Sequence, residues 1–302
     1  MDNLKLAQDI ACYTLKNIDR ICRKNNIEYF ICAGTLLGAY RHGGFIPWDD
    51  DIDIAMTREN YNKFLSIAQE ELGDEFFVQT TETDPGYDIF HVELKVRYNN
   101  SRINDGKEHN YHQGVFVDVF AMDYVPNNKL LRMLQRNLSL VIAGADAAVN
   151  SNFKNISFKN KVLYPILLFF SKKVSFKNRR KLISVLRKLT GKNKELISYG
   201  LDTIWKTTFK SKDIYPVREI EFDTMKVKAP NNVHNILVAE YGENYMQLPR
   251  EEERVPQHFI GVELLDKRKL ILSFPTFFTL NKLSNNLKNV FFFAIELVFI
   301  LN

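Results

Sequence analysis

At 302 residues, with 45% apolar and 25% charged side chains, the chain can bury a sizeable core, which excludes a disordered or fibrous polypeptide. No stretch is rich enough in Pro, Gly or Ser to be a linker and no internal repeat is present, so a single domain over 1–302 with a helical annex is expected. The net charge of +5 hides an asymmetry: residues 154–212 hold sixteen Lys or Arg against Glu195 and Asp202, a balance of +14 that leaves −9 elsewhere.

The first expected element is a helix over about 3–25, where Leu4, Ala7, Ala11, Leu15, Ile18 and Ile21 recur at helical spacing. Asp2 and Asp9 flank this moderately apolar stretch, so it does not read as a signal peptide. Cys12, Cys22 and Cys32 are odd in number, lie among apolar residues and lack metal-ligand spacing, as reduced core thiols would. Tyr29–Ala33 belongs to a buried strand over 28–33, and Gly34-Thr35 ends it where a short helix begins at 35. Glycine lets backbone approach a ligand, and free N–H groups at a helix start favour phosphate.

Next comes the densest acidic run, Asp49-Asp50-Asp51-Ile52-Asp53. Like charges so close repel, so some must stay protonated or share a cation. In Asp51-Ile52-Asp53-Ile54 the alternation places both aspartates on one face of a strand at 51–56. Carboxylates on one strand face can converge on a hard cation such as Mg²⁺ or Mn²⁺. The alternative is a solvated acidic turn. A helix over 58–72 follows, and Phe90, Val92, Leu94, Val96 and Tyr98 alternate with His91, Glu93, Lys95 and Arg97 as in a half-buried strand. Gly114–Phe120 reads as a strand buried on both faces, with Asp118 in its middle. A lone buried carboxylate needs a partner: either a cation shared with Asp51 and Asp53, or a neighbouring Lys or Arg. Residues 129–150 and 158–210 read as helices. Within the basic block, Val162–Phe170 is too short to cross a bilayer but long enough to lie in its interface, with Lys172 and Lys173 meeting anionic lipid. A solvated basic face over a local core is the competing reading, and nucleic acid the weakest of the three. The tail over 266–302 ends in Val290–Leu301, twelve residues with Glu296 among them, which either packs on the domain or dips into a membrane.

The string Gly34-Thr-Leu-Leu-Gly-Ala-Tyr-Arg-His-Gly-Gly-Phe-Ile-Pro-Trp-Asp-Asp-Asp-Ile-Asp-Ile54 resembles the LicD family, which includes bacterial phosphocholine transferases and fukutin-type transferases of animals. Gly114–Asp123 resembles the family's second block, with Ala121 at a turn position where the family usually has Pro. Phe222, Pro230, Glu240–Met246, Pro249, Arg254 and His258 fall where the family has its last block. The resemblance covers about 25–125 and 215–260, leaving a helical insertion at about 129–212 and the tail uncovered.

That resemblance implies an α/β (α+β) nucleotidyltransferase-like fold, a mixed sheet flanked by helices. It implies a CDP-alcohol donor such as CDP-choline, attack by a hydroxyl of a surface glycan (lipopolysaccharide, teichoic acid or capsule, often lipid-linked), and release of CMP. Asp51 and Asp53 would ligate the metal, and Asp118 would complete the site or accept the acceptor's proton. Gly34 and Thr35 would approach the phosphates, and Arg41 and His42 would neutralise phosphate charge. From their place on the polar strand face Lys95 and Arg97 could do likewise, a surface ion pair being the alternative. Arg254 and His258 would close over the donor, Asp49 and Asp50 would tune the cluster without binding metal, and Trp48 and Pro47 would fix the turn, stacking on a base being the alternative. A nucleotidyltransferase acting on a small molecule, or a basic nucleic-acid or membrane-binding module, remain alternatives. The expected location is cytoplasmic, peripheral on the inner face of the cell membrane.

Overall fold

The structure, a computed structural model, describes residues 3–87, 92–150, 173–203 and 207–266. The apolar run Val162–Phe170 and the tail beyond 266 lie outside the described residues, as do Phe90 and His91.

Helix α1 (Asn3–Lys24) leads through β1 (Phe30–Ile31) and α2 (Ala33–His42) to β2 (Asp53–Thr57), α3 (Arg58–Leu72), β3 (Phe76–Gln79), β4 (Leu94–Tyr98), β5 (Ser101–Asn104) and β6 (Phe116–Val125). Then come α4 (Lys129–Asn150), α5 (Phe176–Lys188), β7 (Leu196–Tyr199), β8 (Thr208–Lys210) and the single turn α6 (Ser211–Ile214). The hairpin β9 (Arg218–Phe222) and β10 (Met225–Ala229), α7 (Val233–Tyr241) and β11 (Gly261–Leu264) complete the order.

Seven strands form one mixed sheet in the order β1-β2-β6-β4-β3, with β7 on the far half of β6 and β8 beyond it. The β2–β6 pair is parallel and every other ladder in this sheet is antiparallel. β6 is the hub, because its ten residues are apolar almost throughout and only a strand covered on both faces can bury them. Helix α1 lays Ile10, Leu15, Ile18 and Ile21, all fully buried, on one layer of the core, and α3 packs beside it. Thr57 caps α3 by accepting from Asn60 N–H, and Gly73 stops it at a positive φ of 69°. The fold is thus the mixed α+β arrangement expected, and Cys12, Cys22 and Cys32 are free and buried.

Several local expectations are corrected. β1 is only two residues long, and α2 starts at Ala33, so Gly34 and Thr35 lie inside its first turn. The ladder of β2 begins at Asp53, so Asp51 reaches the site from the approach to the strand and not from within it. β4 is not half-buried: it lies between β3 and β6, and Arg97 is 3% exposed with its guanidinium bonded to Gln79 Oε1 and Gly114 O. Ala121 is no turn residue; it sits mid-strand in β6, opposite Met56, and accepts the N–H of Gly200. Finally, 158–210 is not all helix. Leu196–Tyr199 and Thr208–Lys210 are strands, since Ile197, Tyr199 and Phe209 are apolar side chains that the sheet buries.

Candidate active site

Sheet register brings the chemistry together. Asp53 on β2 stands opposite Asp118 on β6, Asp118 opposite Lys95 on β4, and Lys95 opposite Gln79 on β3. A single row across four strands therefore carries two carboxylates and an ammonium. Asp51 joins from two residues upstream, and one carboxylate oxygen from each of Asp51, Asp53 and Asp118 lies within 4.8 Å of the others. Such an all-oxygen donor set fits a hard divalent cation.

Two anchors hold Asp53. Its N–H donates to Thr35 Oγ1 at 2.8 Å, and its carbonyl accepts from Cys32 N–H at 3.0 Å. The first turn of α2 is thereby fixed against the acidic end of β2. Gly34 makes room here, because a Cβ at that position would come 3.0 Å from Asp49 Oδ2. Asp49 Oδ2 is buried and accepts no hydrogen bond from the described residues.

Charge is the site's dominant stress. Desolvation, then Asp51 and Asp118, hold the Asp53 carboxyl well above the usual range. Desolvation raises Asp49 to about 8, with Asp51 and Asp50 adding to it, and raises Asp51 to about 6 against the lowering charge of His258. Lys95 Nζ lies 2.5 Å from Asp118 Oδ1 and 3.7 Å from the centre of the Phe116 ring. Burial lowers the Lys95 ammonium's affinity for its proton, and Asp118 partly restores it. Asp118 therefore has the lysine partner that one sequence reading gave it, and it also belongs to the carboxylate cluster.

His258 is the second arm. Its backbone N–H and its Nδ1 both engage Asp50, each at 2.8 Å, and Nδ1 is 3.5 Å from Asp51 Oδ2. Burial alone would lower this imidazole, but the Asp50 hydrogen bond with the charges of Asp51 and Asp50 raises it to about 9. Asp50, Asp51 and His258 also present ligand atoms within 4.8 Å of one another, so Asp51 is common to both groups.

Arg41, His42 and Arg254 are not brought into the cluster. Arg41 and His42 end α2, about 10 Å along its axis from Thr35. Arg41 donates to His42 Nε2 and to the carbonyls of Tyr245 and Gln247. Trp48 gathers the remaining pair, with the His42 ring edge-on at 6.5 Å and the Arg254 guanidinium 5.6 Å from its centre. These residues form a basic rim around Trp48, beside the loop that carries Asp49–Asp51.

Sequence reasoning missed the clamp of Asp50 by His258, which spans 208 residues. It also missed Glu240, whose carboxyl accepts from Tyr199 O–H behind the site, and which burial raises to about 7. A cavity of about 970 Å³ lies at the opposite end of β2 and β6, lined by Thr57, Arg58, Asp123, Arg187, Lys194 and Tyr215 among others. Asp123 there is saturated by Arg58, Arg187 and Leu201 N–H, which suits a structural role.

Residues 26–137 match the family described as "LicD/FKTN/FKRP, nucleotidyltransferase domain". The lipopolysaccharide cholinephosphotransferase LicD of Haemophilus influenzae is 28% identical over 256 residues, 83% of this chain and 94% of that protein. Human ribitol 5-phosphate transferase FKRP is 32% identical over 60 residues, 20% of this chain and 12% of its own. An uncharacterized protein of Rickettsia prowazekii is 52% identical over 46 residues, 15% of this chain and 17% of its own.

Proposed function

Since the chain carries a LicD-family nucleotidyltransferase domain, we propose that it transfers a phospho-alcohol group, phosphocholine foremost, from a CDP-alcohol to a hydroxyl of a surface glycan, releasing CMP. The observation that carries this reading is the convergence of Asp51, Asp53 and Asp118 beside Lys95. Two relatives of this chain bear names that specify transfer of a phospho-alcohol, cholinephosphate in one and ribitol 5-phosphate in the other.

Asp51, Asp53 and Asp118 are the residues that would hold Mg²⁺ or Mn²⁺. When bound, such a cation neutralises donor phosphate oxygens and favours in-line displacement. The first turn of α2 at Gly34 and Thr35 offers backbone N–H groups to the diphosphate. Lys95 balances the charge of Asp118 and stands where phosphate charge develops. The acceptor oxygen forms its bond to the phosphorus that bears the alcohol as the bond to CMP breaks, and a site carboxylate takes the acceptor's proton. His258, fixed by Asp50, and Arg254 at the rim would close over the donor. Residues 1–302 would then act as one transferase domain, with a lipid-linked acceptor met at the inner face of the cell membrane.

Purified protein incubated with CDP-choline, CDP-glycerol or CDP-ribitol, Mg²⁺ and candidate glycans should release CMP only when donor and acceptor are both present. Pyrophosphate release from CTP with a small-molecule acceptor, and no CMP from any CDP-alcohol, would favour the nucleotidyltransferase alternative instead.

A further inference from the structure

We propose that the outer face of α4 and α5 is a docking surface for an anionic lipid bilayer. The two helices form one slab. Gln135 Nε2 donates to the Leu186 carbonyl at 2.8 Å, and Ile142, Ile183 and Leu186 bury a small core with Val125 and Leu201. Facing away from that core, α4 presents Leu130 (72% exposed), Leu134 (52%), Leu138 and Val141 at helical spacing. On α5, Leu182 and Val185 (56% exposed) are exposed as well, and Leu189 at its C-cap continues the i, i+3, i+4 spacing. A surface helix ordinarily turns polar side chains outward, so adjoining apolar stripes on two packed helices mark an interaction face.

Charge selects the occupant. Between residues 126 and 194 the sequence holds sixteen Lys or Arg against Asp146 alone. Lys177, Lys181 and Lys188 are exposed and run beside the α5 stripe at spacings of four and seven, so ammonium groups border the leucines. Apolar side chains flanked by lysines match the acyl boundary and the phosphate layer of an anionic membrane. A second copy would bring the same basic face against itself, and like charges oppose that. Nucleic acid would leave the leucines without an apolar partner.

The surface deepens the reading above in one respect, since a bilayer is where a lipid-linked acceptor would be met. Its own test uses neither donor nor acceptor. The full chain is floated with vesicles of phosphatidylglycerol and phosphatidylethanolamine, or of phosphatidylcholine alone, at low and high salt. The protein should float with the anionic vesicles at least about tenfold more than with the neutral ones, and high salt should release it. The variant L134S/L138S/V185S should lose flotation at an unchanged melting temperature, and K177E/K181E/K188E should lose it as well. CMP release with a soluble acceptor should persist in both variants, which separates this proposal from the fate of the catalytic one. The proposal is overturned if the wild type ignores anionic vesicles, or if L134S/L138S/V185S floats like wild type. It is overturned equally if that variant melts markedly lower, since its side chains would then be covered by the chain's own 151–172 segment, or if sedimentation shows the face closed by a second copy.

Discussion

Lys95 Nζ and Asp118 Oδ1 lie 2.5 Å apart in the middle of the sheet, and that ammonium is a cation the chain itself sets beside three converging carboxylates. Without it, Asp118 would face the like charges of Asp51 and Asp53 with its ion-pair partner gone. Breaking a buried pair by removing one member leaves an uncompensated charge, so Lys95→Met should destabilise the metal-free protein by about 3–5 kcal/mol. Saturating Mg²⁺ should recover part of that loss. Urea unfolding with and without Mg²⁺ measures both, and an unchanged midpoint would remove Lys95 from the account.

The pH dependence of stability has a definite sign. Burial foremost holds Asp49 up to about 8, Glu93 and Glu240 to about 7 and Asp51 to about 6. Each carboxyl keeps its proton in the folded chain where the unfolded chain has released it, so its contribution is present at low pH and lost as pH rises through the folded value. His258, raised to about 9, contributes in the same sense and loses its share as pH passes that value. The metal-free protein should therefore melt lower at about pH 9 than at about pH 6. Asp202, held low by Arg58, Arg187 and Arg180 against its own burial, acts in the opposite sense, below about pH 4. Calorimetry in chelator at three pH values decides the matter, and a melting temperature that climbs from 6 to 9 would contradict it.

A second charge network ties α5 to the sheet. Arg58 and Arg187 both bridge Asp123 and Asp202, and Arg180 bridges Asp202 and Glu93. The Asp202 side chain is only 5% exposed. Asp202→Asn leaves three guanidinium groups to two acids and should cost about 3–5 kcal/mol in urea unfolding. A loss below about 1 kcal/mol would mean that solvent already screens the network.

Close backbone packing shapes the loop that delivers the aspartates. A Cβ on Gly38 would come 2.5 Å from the Gly44 carbonyl oxygen and 2.9 Å from Ile46 N, neither of which can swing aside as a side-chain tip can. Gly38→Ala should destabilise by about 1–3 kcal/mol through overpacking. Transfer should fall with it, because the displaced loop leads to Asp49–Asp51. Wild-type melting and wild-type turnover together would refute this.

The aspartates were legible because Asp-x-Asp in an alternating strand and a lone Asp in an all-apolar one are both expensive, so each demands a partner. Lys95 and Arg97 were misplaced for a related reason. Alternation assigned them to a solvent face, but β4 lies inside the sheet, and sequence does not reveal strand order. Leu196–Tyr199 and Thr208–Lys210 went unseen as strands because runs of four and three residues carry too little period-two signal amid so many basic neighbours. His258 could be placed near the site only through resemblance, and nothing local joins it to Asp50 across 208 residues.

On the proposed function, Asp51, Asp53 and Asp118 act together on a phospho-alcohol donor. Asp53→Asn tests it most directly, with CMP release from CDP-choline in the presence of acceptor glycan and Mg²⁺ read beside thermal stability. Asp53 is raised by desolvation and by its carboxylate neighbours, so neutralising it relieves repulsion and the metal-free melting temperature should hold or rise. Transfer should fall below about a tenth of wild type, since on the proposed function a ligand would be lost from the cation site that serves the reacting phosphate. A folded Asp53→Asn protein that retains most of its activity would contradict the account.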